Sequence, residues 1–223
     1  AIVGDSQLLL RETPPDSPHY QLIKDIQLCG VRCQRIIQNL LTFSRQDELT
    51  FEEINLNQVV EKALNLAAYQ IEKSKINLVK NLDESPLMIL GNAQGLEQII
   101  INLLLNAKDA IEQKQLIDGE QEKGEIIIST RIKPDKFVAV DIADNGCGID
   151  QKKISQIFNP FYTSKKVGKG TGLGLSVSLG TAQSHGGFID VESVPGKGSI
   201  FSLILPIKKY NPDKESENPG EKD

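Results

Sequence analysis

Four short motifs, in a fixed order within about 75 residues, constrain this chain more than any other feature. Asn102-Leu-Leu-Leu-Asn106-Ala-Lys-Asp109 comes first, and Asp144-Asn-Gly-Cys-Gly-Ile149 comes second. Phe158-Asn-Pro-Phe-Tyr-Thr-Ser-Lys165 and Gly168-Lys-Gly-Thr-Gly-Leu-Gly-Leu-Ser176 complete the set. Each is weak by itself, since a lone glycine-rich stretch is usually a turn. Together they ask for a helix with two amides on one face and a strand ending in a carboxylate and glycines. They also ask for a glycine-rich loop that opens a second helix.

The rest of the chain supplies those elements. Residues 56–74 carry Val59, Val60, Ala63, Leu64, Leu66, Ala67 and Ile71 at helical spacing, and residues 92–116 form a long helix around the first motif. Strands are expected at 51–55, 76–82, 87–90, 125–132 and 137–142, with a polar loop at 119–124. A helix at 172–185 precedes two further strands, 188–193 and 198–206, joined by Val194-Pro-Gly-Lys197. This is a mixed sheet backed by helices.

Ahead of it, residues 1–12 read as the end of a helix. Thr13-Pro-Pro-Asp-Ser-Pro18 then breaks it, since prolines cannot continue a helix. Asp16 or Ser17 can cap the next helix. From Tyr20 to Arg45, Leu22, Ile23, Ile26, Cys29, Cys33, Ile36, Ile37, Leu40, Leu41 and Phe43 recur at mostly three- and four-residue steps. A hairpin this short buries little surface alone. Pairing into a four-helix bundle covers the stripe, and packing onto its own second domain is the alternative. The fold class is therefore α+β, a helical hairpin followed by an α/β sandwich. The expected domains are 1–46 and 47–207, with a charged, disordered tail at 208–223.

The net charge of −5 leaves no basic footprint for nucleic acid. No apolar run approaches the ~20 residues that span a bilayer. With three cysteines and no secretory signal, reduced thiols in the cytoplasm are the default. Cys29 and Cys33 lack the further His or Cys that a metal site needs within one chain.

Asn102 and Asn106 lie four apart, on one face of a helix whose other faces are apolar. An amide carbonyl is a hard oxygen ligand that suits Mg²⁺, which also takes phosphate oxygens and water. A carboxylate at Asp144 can accept a hydrogen bond from an exocyclic amine, and Gly146 and Gly148 let a planar base approach the backbone. Gly168 to Gly174 leads into a helix, whose N-terminal N–H groups attract phosphate, and Lys165 or Lys169 can add a cation. The polar segment between Phe161 and Gly170 reads as a lid, with Phe158 and Phe161 anchoring its base.

The four motifs together resemble the ATP-binding catalytic domain of bacterial two-component sensor histidine kinases over roughly 52–207, in their nitrogen-regulation-type subgroup. Much of 1–46 resembles that family's dimerisation helices. The resemblance implies a sandwich of the histidine kinase/gyrase-type ATPase fold and a Mg-ATP site. In that site Asn106 holds Mg²⁺ and Asp144 reads the adenine amino group. Gly146, Gly148 and Ile149 shape the pocket. Asn102, Asp109, Phe158, Lys165, Gly170, Thr171, Gly172, Leu173, Gly174, Leu175 and Ser199 complete the nucleotide contacts. Asn106, Lys165 and Thr171 are the residues assigned to phosphoryl transfer. It further implies a homodimer through the hairpin and a response regulator receiver domain docked on a face that includes Gln34, Gln38 and Arg45. A cytoplasmic location goes with this, with any membrane anchor upstream.

Two departures from the family pattern bear on mechanism. Related ATPases of the wider fold carry a Glu four residues before the metal-binding Asn, as general base for water, and here Asn102 stands there. That favours phosphotransfer over hydrolysis. Many family members have Lys-Tyr after the metal ligand, where this chain has Asp109-Ala110, leaving Lys108 and Lys165 as candidate cations. Neither His19 nor His185 has the acceptor context, so the chain reads as a fragment that starts just after the phosphoacceptor His. The rivals are a scaffold that keeps the fold without catalysis and a hydrolytic ATPase.

Overall fold

The computed structural model describes residues 1–44, 50–118, 122–165 and 170–207, with backbone alone at 32, 35–44 and 118. These fall into two compact units. One takes the described residues of 1–49 and 155–177, the other those of 50–154 and 178–223.

In the first unit, helices α1 (Ile2–Glu12) and α2 (Tyr20–Ser44) pack as a hairpin around the proline-rich turn. They approach closely at Gly30, where a Cβ would stand 3.0 Å from Cγ2 of Val3. Ser6 is the buried residue of α1, and its hydroxyl returns a hydrogen bond to the Val3 carbonyl. Ile2, Leu8, Leu9, Leu22, Ile26 and Leu28 are each more than half exposed. The hairpin therefore buries little of its own apolar stripe.

The second unit begins with β1 (Glu52–Asn55), α3 (Leu56–Lys73), β2 (Asn77–Asn81), β3 (Met88–Gly91) and α4 (Ala93–Asp118). β4 (Glu125–Lys133), β5 (Phe137–Asp144) and the short α5 (Gln151–Ile154) come next. α6 (Gly174–Ser184) enters from the first unit and leads to β6 (Phe188–Val194) and β7 (Gly198–Pro206). The five-stranded sheet runs β2-β4-β5-β7-β6, antiparallel except where β2 lies parallel to β4. β1 and β3 make a separate antiparallel pair.

Strand register aligns Ile128, Ile142 and Phe201 on one face, beside Val140 and Leu203. α4 lies against β4, β5 and β7, and α3 against α4. Leu96, Ile99, Ile100, Leu103, Leu104 and Ile111 of α4 are all within 2% of complete burial. α3 adds Val60, Ala63 and Ile71, and is capped by the Asn55 side chain accepting from Asn57 N–H.

The expected elements match these to within a few residues, and the α5 turn is an addition. Two differences stand out. The helix expected from 172 starts at Gly174, because Gly172 has φ +68 and is not helical. Residues 155–177, expected with the sandwich, group instead with the hairpin unit. Their described part forms no strand pairing that would tie it to the sheet. The expected tail at 208–223 lies outside the described residues.

Leu103→Ala removes a side chain with no exposure and should cost about 3 kcal/mol. Tyr69→Ala, at a side chain 75% exposed, should stay within about 0.5 kcal/mol. Urea unfolding of the two variants measures both.

Candidate functional site

Asp144 ends β5 and is 9% exposed. Its carboxylate accepts from Gly146 N–H at 2.8 Å and from the backbone N–H of Ser199, its cross-strand partner. Burial pushes its carboxyl up to about 6, against those two bonds and the nearby Lys114 charge, which pull it down. A buried carboxylate at a strand end, with acceptor positions beyond these two donors, suits an exocyclic amine.

The loop after it is held from three sides. Cys147 N–H donates to the Ala110 carbonyl of α4 at 3.1 Å, and its own carbonyl accepts from Gly196 N–H at 2.8 Å. Asn145 accepts from Glu125 N–H through its side chain and donates to the Lys123 carbonyl. Ile149 N–H donates to Ser193 Oγ at 2.8 Å, and that hydroxyl lies 3.0 Å from Ser199 Oγ. Ser199, expected at the ligand, thus supports Asp144 through its backbone and Ser193 through its hydroxyl.

The glycines have a reason besides ligand approach. A Cβ at Gly146 would stand 2.7 Å from the Ala110 carbonyl carbon, and one at Gly148, with φ +66, would stand 2.2 Å from the Val194 oxygen. Close packing of the loop on α4 and on the β6–β7 turn therefore excludes any side chain there. The Cys147 thiol is half-buried and pushed up by desolvation and by Asp144, so it is a poor nucleophile at neutral pH.

On α4, Asn102 and Asn106 are both partly exposed among buried neighbours. Asn102 donates its amide to Ser178 Oγ of α6 at 3.0 Å, so the protein itself satisfies part of the polar demand expected to fall to a ligand. Lys108 is committed elsewhere. It pairs with Glu112 at 2.9 Å and with Asp109 at 3.3 Å, and Glu112 also accepts from the Ser74 hydroxyl. Burial would lower the Lys108 pKa, but the Glu112 hydrogen bond and both carboxylate charges outweigh it and leave a net rise.

The remaining expected residues belong to the first unit. Gly172 packs its α-carbon on the Phe161 backbone, where a Cβ would stand 2.4 Å from the carbonyl carbon. Phe161 itself has φ +67 and is 66% exposed, so among the described residues it is its backbone, packed on Gly172, and not a buried ring that makes the contact. Ile157 is the buried side chain there, with Phe158 partly so. Thr171 Oγ1 accepts from Leu173 N–H at 3.4 Å just before α6, and Gly174 and Leu175 open that helix. The Gly170 α-carbon lies near Thr163 and Lys165. Lys169 and the lid residues 166–169 lie outside the described residues.

The sequence marks His185 only as the turn after the helix. In the structure it is 4% exposed and joins three elements. Its Nε2 accepts from Asn92 N–H at 2.9 Å, so its Nδ1 carries the proton and donates to the Thr181 carbonyl at 2.7 Å. Phe51 stacks on the ring at 4.7 Å. Burial lowers the His185 pKa and keeps it neutral. Ser193, Lys114 and Ala110 also support the site and lack any motif signal. Among the described residues no helix is long and apolar enough to cross a membrane.

Asp144 at the end of β5 and the two amides of α4 thus stand in one unit, joined by the glycine loop that packs on Ala110. The sequence model of the family described as histidine kinase-, DNA gyrase B- and HSP90-like ATPase matches residues 91–209, and the chain belongs to that family. Among its relatives, the signal transduction histidine-protein kinase AtoS of Escherichia coli is 35% identical over 93% of the chain. The chain spans only 32% of that relative's length. The catalytic domain of histidine kinase ThkA superposes with a TM-score of 0.59 at 30% identity, over 71% of this chain and 98% of that one. ThkA in complex with the response regulator protein TrrA superposes with a TM-score of 0.67 at 26% identity, over 93% of this chain and 57% of that one.

An unfolded Asp carboxyl titrates near 3.8, and Asp144 near 6. The folded state therefore holds this proton more tightly. The cost of ionising it is absent below 3.8, grows between 3.8 and 6, and is constant above. Asn at this position keeps one acceptor oxygen, which can retain the Gly146 N–H bond. Asp144→Asn should raise stability at pH 8 by on the order of 3 kcal/mol, with most of the gain gone at pH 4. Urea unfolding at the two pH values checks it, and a pH-independent difference would reject the assignment.

Proposed function

We propose that this chain is the catalytic part of a sensor histidine kinase. The whole protein moves the γ-phosphoryl group of ATP to a histidine and passes it to an aspartate of a response regulator. The observation that carries this is the buried Asp144 carboxylate, set at a strand end beside α4 with glycine backbone around it. The carboxylate takes the adenine amine, Gly146, Gly148 and Ile149 shape the pocket, and Asn102 and Asp109 lie along the same helix as the metal ligand. Asn106, with its hard amide oxygen, is the residue that would hold Mg²⁺, whose role is to neutralise phosphate charge. By the family motif, the N–H groups from Gly170 to Leu175 take the phosphates, Lys165 adds positive charge, and Thr171 lies with them.

Residues 1–46 serve as the dimerisation hairpin and 47–207 as the ATP-binding domain. The six large apolar side chains left more than half exposed on two short helices favour a homodimer. The regulator's receiver domain docks on the polar face that holds Gln34. Gln38 and Arg45, expected beside it, lie where no side chain is described. Hydrolysis is the lesser reading, because Asn102 cannot act as general base and its amide is bonded to Ser178.

Calorimetric titration of Mg-ATP tests the site. Saturable binding is expected, with Asp144→Asn losing about 2 kcal/mol, roughly 30-fold. A folded chain that does not bind ATP would move the reading to a scaffold, and steady ATP turnover would move it to a hydrolase. Only the ionised Asp144 is the full acceptor, and its carboxyl titrates near 6. ATP affinity should therefore fall about tenfold from pH 7 to pH 5. Asn106→Ala should remove the Mg²⁺-dependent part of the affinity and leave the adenine-dependent part.

A further inference from the structure

We propose that the hairpin carries an oxidation-sensitive thiol site completed by a second copy of the chain, in which Cys29 and Cys33 meet their own counterparts across the α2–α2 contact. The inference rests on the homodimer reading and goes beyond it.

Both thiols are exposed. They line one groove of the hairpin unit together with Ile2, Leu22 and Ile26, a cavity of about 1050 Å³. Leu22, Ile26, Cys29 and Cys33 are spaced four, three and four residues apart, and the sequence continues the repeat at Ile36, Leu40 and Phe43. That heptad is the seam of a helix that packs on another helix of like repeat. α1 borders the groove through Ile2 and Val3 and meets α2 at Gly30, one residue off the seam, which leaves Leu22, Ile26 and both thiols exposed.

Leu22 and Ile26 stand more than half exposed on this seam beside the two exposed thiols, an apolar stripe of the kind that marks a partner surface. A second copy supplies the same repeat. In a two-fold interface, residues on the axis face themselves, so a two-fold axis running along the α2–α2 seam would set thiol against thiol.

Cys29 and Cys33 cannot bridge within one helix. Residues four apart hold their Cβ atoms about 5–6 Å apart, and a disulfide needs about 3.5–4.5 Å. The pairing is therefore between subunits. With a peroxide as oxidant, one thiol is oxidised to a sulfenic acid with loss of water. The counterpart thiolate then attacks that sulfur, releasing a second water and leaving the S–S bond. The net change is two thiols and one peroxide to one disulfide and two waters. A reductant of the thiol class reverses it, as expected of a transient bridge in a reducing compartment. Cys147 does not compete, because burial and Asp144 keep it as the thiol.

The test treats the full chain with hydrogen peroxide and monitors it on a non-reducing gel, with light scattering before treatment. The expected result is a dimer in solution and a covalent species of twice 24.6 kDa that dithiothreitol cleaves. The double variant Cys29→Ser, Cys33→Ser should lose the covalent species and stay dimeric, and Cys147→Ser should keep it. A dimer without cross-link, or a cross-link that survives the double variant, overturns the thiol site and leaves the dimer standing. A monomer by light scattering overturns the dimer reading, and this proposal with it.

Discussion

Everything in the sheet unit depends on one helix serving two solvents. α4 buries Leu96, Ile99, Ile100, Leu103, Leu104 and Ile111 against β4, β5 and β7 and against α3. On what remains of its circumference it must hold Asn102 and Asn106. Burying that many large side chains, at roughly 2 kcal/mol each by area, fixes the helix rotation far more firmly than any polar contact. Asn102, bonded to Ser178, shows how a nearby helix takes up part of the remaining polar demand.

Asp144 works against stability. Its burial disfavours the ionised form that a hydrogen-bonding amine requires, which is why its carboxyl is pushed up to about 6. Two backbone donors and the Lys114 charge offset only part of that cost. Backbone packing makes up the rest of the support. Gly146 sits on Ala110 and Gly148 on Val194, and the Gly198 α-carbon abuts the Asp144 carbonyl itself. A single methyl group at any of these would push the loop off α4 or off the β6–β7 turn.

The hairpin obeys the opposite rule. It packs closely at Gly30 and leaves Leu22 and Ile26 in water. Conformational entropy makes two short helices with an open apolar face a weak fold alone. The stability missing from the monomer is what a second helix pair would contribute, and the two thiols lie on the surface where it would do so.

Much of this was legible in the residues. Periodicity gave the helices and strands to within a few positions, because a core face repeats at 3.6 or 2 whatever it packs against. Motif order singled out Asp144, Asn106 and the glycine loop as candidates, because those residue types are scarce in such surroundings. The sequence by itself determined which elements form and which groups are chemically able to bind a nucleotide. Only the tertiary structure decided what supports them. His185 linking Asn92 to Thr181, Ser193 holding Ile149, and Lys108 drawn into an ion cluster with Glu112 are contacts between residues distant in the chain or turned by packing. Phe161 shows the same limit from the other side, since an aromatic reads as core until its backbone, not its ring, is found to make the contact. No local pattern encodes such partners, because their meeting depends on how the sheet and helices bring separate segments to one point.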